Sequence, residues 1–207
     1  MKRSLSAALL SLSFLAGGAN AGTFTDYGGF GKYKRSLADG GGCVSGTVGS
    51  TIPGRNYNVI VNFAARRFSD KAEFNKAYFG FTTLDKKHGI DAGTLRAGAF
   101  MLCLEPGEYD IIGIEMLRAA SSRKIRLPFT VEAGKNRYLG SLVFHSDPVH
   151  ILRCSGLPNP SGVEIQDRFA RDLPLIMALK GAIAPEPALL DAGQGLPYFF
   201  GCPDAGG

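Results

Sequence analysis

Ile125-Arg126-Leu127-Pro128-Phe129-Thr130-Val131-Glu132 alternates apolar and other side chains without a break. A period of two puts Ile125, Leu127, Phe129 and Val131 on one face of an extended chain, the signature of a half-buried strand. Pro128 has no N–H to offer a neighbour, so this strand belongs at a sheet edge. Comparable runs flank it. Upstream, Tyr57, Val59, Val61 and Phe63 share a face, Tyr78, Phe79 and Phe81 form another run, and Phe100, Leu102 and Leu104 a third. Tyr109 to Met116 is apolar on both sides, which suits a central strand. Downstream, Tyr138, Gly140, Leu142 and Phe144 continue the pattern, followed by Val149 to Leu152.

Pro106-Gly107 and Ala133-Gly134-Lys135-Asn136 fall between these runs, and their glycines supply the turn chemistry of hairpins. Short strands at roughly ten-residue spacing predict a mainly β fold, an antiparallel β-sandwich of prealbumin or immunoglobulin type over residues 43–152. The period then changes. Phe169, Leu173, Ile176 and Met177 recur at helical spacing, which predicts one C-terminal helix near 168–180 with Asp167 or Asp172 as its cap. Pro174 fits such a helix comfortably only if it starts at Asp172. Residues 22–42 hold Tyr27, Phe30 and Tyr33 among glycines and read as an extended N-terminal arm. Residues 153–207 read as the helix and a tail packed on the sandwich, so both ends carry long loops.

The first residues have a different character. Lys2 and Arg3 precede the apolar run Leu5 to Ala16 and the small residues Ala19-Asn20-Ala21, the three-part layout of a secretory signal peptide over residues 1–21. The run is shorter than the about 20 apolar residues a permanent span needs. A mature chain from Gly22, with no Cys at the cleavage point, is expected in the periplasm or secreted, with no transmembrane segment. Without Lys2 and Arg3, 21 basic residues face 18 acidic ones, a net charge of +3. Arg66-Arg67, Lys86-Lys87 and Arg123-Lys124-Arg126 are short and separated, which argues against nucleic acid as a partner and for solvated turns.

Cys43, Cys103, Cys154 and Cys202 meet an oxidising compartment after export, so two disulfides are expected among three possible pairings. Their wide spacing lacks the close pairs of a structural zinc site. Cys154 with Cys202 is the favoured pair because it would pin the Gly- and Pro-rich tail, and Cys43 with Cys103 follows by elimination.

Leu104-Glu105-Pro106-Gly107-Glu108-Tyr109-Asp110-Ile111 resembles the L-x-P-G-x-Y hairpin of prealbumin-like sandwich modules, a group that includes carboxypeptidase regulatory-type and collagen-adhesin B-type repeats. Phe129 to Lys135, leading into Tyr138-Leu139-Gly140, is similar to a second stretch of exported bacterial proteins and lipoproteins of unknown function. The resemblance spans Phe100 to Phe144. It implies the sandwich, with Tyr109 packed on its rim, and brings no catalytic residues with it.

The sharpest polar constellation is His145-Ser146-Asp147-Pro148-Val149-His150. A loop turning His145, Asp147 and His150 onto one centre would ligate a divalent transition metal and support a metal-dependent periplasmic hydrolase. Ser45 and Ser155 are the candidate nucleophiles, with His88 and Asp91 as partners, yet neither serine sits in a G-x-S-x-G elbow. Glu105, Glu108 and Glu115 offer paired carboxylates, which beside a turn are ordinarily solvated. Tyr27, Phe30, Tyr33, Tyr198, Phe199 and Phe200 lie in Gly-rich ends, where an aromatic either folds back on the core or meets a partner. The leading expectation is a non-catalytic binding or structural module of the bacterial envelope, without a cofactor. Its partner would be an envelope protein or a cell-wall component.

Overall fold

The computed structural model describes residues 24–28, 30–51, 58–67, 77–82, 90–92, 95–116, 119–121, 126–152, 157–191 and 200–201. In chain order the strands are β1 (Phe24–Gly28), β2 (Gly42–Ser50), β3 (Asn58–Ala65), β4 (Ala77–Thr82), β5 (Ile90–Ala92), β6 (Leu95–Leu104) and β7 (Gly107–Met116). There follow β8 (Ala119–Ser121), β9 (Leu127–Val131), β10 (Asn136–Leu152), β11 (Leu157–Gln166), the helix α1 (Phe169–Met177), β12 (Glu186–Pro187) and β13 (Phe200–Gly201). The protein is mainly β, with two sheets and one helix among the described residues.

The first sheet runs β1-β4-β3-β7-β8-β13, with β9 also on β7, and all its pairs are antiparallel. The second runs β11-β10-β2-β6-β5 and is mixed, because β10 lies parallel to both β2 and β12. A wholly antiparallel arrangement was the expectation, and the turns explain the difference. Pro106-Gly107 joins β6 of the second sheet to β7 of the first, and Ala133-Gly134-Lys135 joins β9 of the first to β10 of the second. Neither is a hairpin. Both carry the chain from sheet to sheet at one corner.

That corner also holds the start of β2. Gly134 donates its N–H to the Gly41 carbonyl at 2.8 Å, and Cys43 donates to the Lys135 carbonyl at 2.7 Å. Strands β2 and β10 therefore leave the same corner in the same direction, which makes them parallel. Gly134 takes a left-handed φ of 72°, and a Cβ at Gly42 would collide with the Glu132 carbonyl, so glycine is required on both sides of the crossing.

Alternation in the sequence predicts the inner faces well. Val59, Val61 and Phe63 of β3, Leu102 and Leu104 of β6, and Leu127, Phe129 and Val131 of β9 are all buried. They join one apolar cluster with Val44, Val48, Leu142 and Phe144, so residues of both sheets share a core. Among the described residues β9 pairs only with β7, which agrees with Pro128 at an edge. The arm expected over 22–42 contributes β1, two 3-10 turns, and Tyr33, a residue only 1% exposed. Residues beyond 152 extend the second sheet through β11, whose Pro158 and Pro160 suit its edge position.

Strand β2 is buried along its whole length because its other face is covered as well. Helix α1 packs there against β2, β6 and β10, with Ile176 beside Ala99 and Tyr138. The helix begins at Phe169, whose N–H is held by Asp167 at 3.1 Å, and Pro174 lies inside it rather than in its first turn. On this outer face the directly opposed Cys43 and Cys103 form a disulfide across β2 and β6. The second expected pair, Cys154 with Cys202, lies outside the described residues.

The disulfide joins residues 60 apart. Replacing both cysteines by Ala is expected to cost about 4 kcal/mol in the chain-entropy account, measured by urea denaturation of the oxidised protein. A loss below about 1 kcal/mol would mean that strand pairing alone fixes this register in the unfolded ensemble.

Candidate functional site

The crossing corner is built on a ring cluster. Tyr109 stacks on Phe129 with centroids 5.4 Å apart and meets Tyr33 edge-on at 5.8 Å, while Phe63 contacts all three rings. The Tyr109 hydroxyl donates to the Glu105 carbonyl at 2.8 Å, closing the Pro106-Gly107 bend as a tyrosine corner. Burial first, then the charge of Glu105, pushes this hydroxyl from 10.0 up to about 12. Above it, Ala65, Arg66, Arg67 and Pro106 to Tyr109 line a cleft of about 420 Å³.

Charges organise the rim. Arg66 reaches Glu108 at 2.6 Å and Asp110 at 3.1 Å, and Arg126 approaches Asp110 from the other side at 3.1 Å. Asp110 is a buried carboxylate, so two guanidiniums offset the cost of taking it out of water. The Asp110 hydrogen bond in turn holds Arg66 above its ordinary value. Arg67 pairs with Glu105 at 3.2 Å. From sequence alone, Arg66-Arg67, Arg126 and the carboxylates of the Pro-Gly turn are separate solvated groups. Register assembles them, since Ala64 faces Asp110 across β3 and β7, and Asp110 faces Pro128 across β7 and β9.

A second polar centre lies under α1, and no motif announced it. Asp172, fully buried, accepts hydrogen bonds from Tyr138 at 2.7 Å, Thr47 at 2.9 Å and Arg171 Nε at 2.7 Å. Arg171 also donates to Ser141 at 2.9 Å, and Thr47 lies 2.8 Å from Ser141, its partner in the parallel ladder. Burial first, then the hydrogen bond to and charge of Asp172, raises the Tyr138 hydroxyl well above its ordinary value. This network ties the helix to the middle of β2 and β10.

The His145 to His150 stretch is not a loop, for its backbone belongs to β10 throughout. The His145 imidazole meets Glu164 at 2.9 Å through Nε2 and Thr51 at 3.5 Å through Nδ1. The side chains of Asp147 and His150 lie outside the described residues, and among the described residues no group of three His, Cys, Asp or Glu is placed to hold a metal. Hydrogen bonds from Gln166 and then His145 hold the Glu164 carboxyl below the usual carboxylate range.

Of the aromatic candidates, Tyr33 is in the core and offers no ring to a partner, because it closes the cluster over Tyr109 and Phe63. Tyr27 lies in β1, Phe30 in a 3-10 turn and Phe200 in β13, their side chains outside the described residues, as are Tyr198 and Phe199 altogether. Ser45 is fully buried and is no exposed nucleophile. Ser155 and His88 lie outside the described residues.

Two outcomes follow from these centres. Asp172→Ala removes the carboxylate that Arg171, Tyr138 and Thr47 share, and is expected to cost about 3 kcal/mol, read as a lower urea midpoint with loss of helical circular dichroism. Stability is also expected to fall with rising pH. Below pH 10 the Tyr109 and Tyr138 hydroxyls keep their protons in both states. Above it the unfolded chain ionises first, so the stability they contribute is lost as pH climbs through about 12 for Tyr109 and beyond for Tyr138. Tyr109→Phe with Tyr138→Phe should flatten the fall in urea midpoint between about pH 10 and pH 12.

No protein-family model, no curated protein and no solved structure matches this chain.

Proposed function

We propose that this chain is an exported, disulfide-braced β module of the bacterial cell envelope that binds a partner through the crossing corner. The observation that carries the reading is the rim of the corner cleft. Arg67 and Glu108 stand 63% and 61% exposed there, on a bend locked from below by Tyr109. Charged side chains of both signs, held on a rigid floor, suit specific recognition of a protein or cell-wall surface carrying charges in the complementary order. Arg66, anchored on buried Asp110, holds Glu108, and Arg67 holds Glu105, so a partner meets a prepared surface and not a set of free side chains.

Export is supported by two features of different origin. The leader of residues 1–21 has the charged, apolar and small-residue parts of a signal peptide. Cys43–Cys103 is a disulfide of the kind that persists in oxidising compartments. The two sheets form a sandwich in this reading, with the prealbumin-like Pro-Gly-x-Tyr element at its corner.

Both parts can be tested together in cells expressing the full chain. Amino-terminal sequencing of the envelope fraction should begin at Gly22. A photo-crosslinking residue at Arg67 should trap one discrete envelope component, where the same residue at Lys180 traps none. Retention in the cytoplasm with Cys43 and Cys103 reduced would overturn the export reading. Equal crosslinking from both positions would overturn the corner as the binding surface.

A further inference from the structure

At the other end of β2, roughly 30 Å from the crossing corner for a strand of this length, a hydroxyl, an imidazole and a carboxylate stand in line. Thr51 directly follows the strand, and its N–H donates to the Phe144 carbonyl at 2.9 Å, which fixes the backbone that carries the hydroxyl. Thr51 Oγ1 lies 3.5 Å from His145 Nδ1, and His145 Nε2 lies 2.9 Å from Glu164 Oε2. The order is that of an activated nucleophile: the carboxylate orients the ring, and the opposite ring nitrogen faces the hydroxyl.

Strand register explains how the line arises. His145 faces Gly162 across β10 and β11, where no side chain competes for the space. The ring can therefore reach the diagonal neighbour Glu164, which itself faces Val143. Glu164 is positioned in turn, since Gln166 Nε2 donates to its Oε2 at 2.7 Å and Arg168 Nε donates to Gln166 Oε1 at 2.9 Å. In the neutral ring, giving Nε2–H to Glu164 leaves Nδ1 its lone pair for the Thr51 proton. The Phe144 carbonyl, 3.3 Å from Thr51 Oγ1, is the rival acceptor, and rotation about one side-chain bond selects between the two.

We propose that Thr51 is an acyl-acceptor nucleophile, activated by His145 and oriented through Glu164, that takes the acyl group of small unhindered esters. Thr51 Oγ attacks the ester carbonyl while its proton passes to His145 Nδ1. The tetrahedral adduct collapses, the bond to the alcohol oxygen breaks, and that oxygen takes the proton back from His145. The products are an O-acyl Thr51 and a free alcohol, with no change of oxidation state. His145 and Glu164 are 40% and 45% exposed, so a small acyl donor can reach the line. The same exposure leaves water competing with the charge stabilisation that fast turnover requires, so a stable acyl-threonine is the expected product. This site is separate from the corner and does not depend on the binding role.

The test uses the full oxidised protein and p-nitrophenyl acetate, followed by peptide mapping. One acetyl group is expected on Thr51, retained in Thr51→Ser. Thr51→Val should abolish it, and His145→Gln should slow it at least about 100-fold, with the melting temperature held near that of the parent. Glu164→Gln should slow it less, and Glu164→Asp should restore part of the loss, which a merely structural carboxylate would not do. Acetylation confined to lysines, or Thr51 labelling in His145→Gln as fast as in the parent, would overturn the assignment. If Thr51→Val fails to fold, the Thr51→Ser and His145→Gln pair still decides it.

Discussion

The hydrogen bond from Tyr109 to the Glu105 carbonyl closes a bend that the rest of the chain is arranged around. A strand leaving one sheet for the other must break its ladder, and the freed backbone groups have to be satisfied at the bend. Here the hydroxyl of a buried ring does so, and the ring itself fills the space between the sheets with Tyr33, Phe63 and Phe129. The same bend delivers Glu105, Glu108 and Asp110 to the ends of Arg66, Arg67 and Arg126. Fold and candidate binding surface thus rest on one short reach of backbone, Glu105 to Asp110.

Strand faces were legible in the sequence wherever one side met water. Leu127, Phe129 and Val131 are buried and Pro128 and Thr130 exposed, as strict alternation requires. The sequence does not separate a hairpin from a crossing, because glycine relieves the same left-handed strain in both. Nothing local distinguishes them, since the choice depends on where the partner strands lie. Strand β11 was invisible for a related reason: Leu157-Pro158-Asn159-Pro160 has the composition of a loop, and only an edge position, where one row of donors faces no ladder, tolerates it.

The polar centre under α1 was unreadable for a different cause. Thr47, Ser141 and Asp172 stand 94 and 125 residues apart along the chain in the two bonds Thr47 makes. No window of sequence contains them together, and a cluster with no shared motif has no local signature. One trace existed. Gly42 to Ser50 holds small residues on both faces of the strand, which is what a strand covered by a helix needs if backbone and helix are to approach closely. Sequence spacing offers Asp172 only as a helix cap, whereas its position inside the helix turns its carboxylate toward Thr47 and Tyr138.

Strand β2 is consequently held on every side, with an apolar core on one face, a helix on the other and hydrogen-bonded neighbours along both edges. A disulfide fixes its first turn of ladder and the Thr47–Asp172 bond its middle. Polar surface groups positioned from a rigid strand keep their geometry without needing a partner to order them, which lowers the entropy lost on engagement. Both ends of β2 exploit this. At the start, the crossing backbone anchors the charged rim; at the finish, the ladder that ends at Ser50 sets Thr51 against His145. Mobility at either end would dissolve that geometry, and the buried network in the middle of β2 holds the stretch of strand that the two ends share.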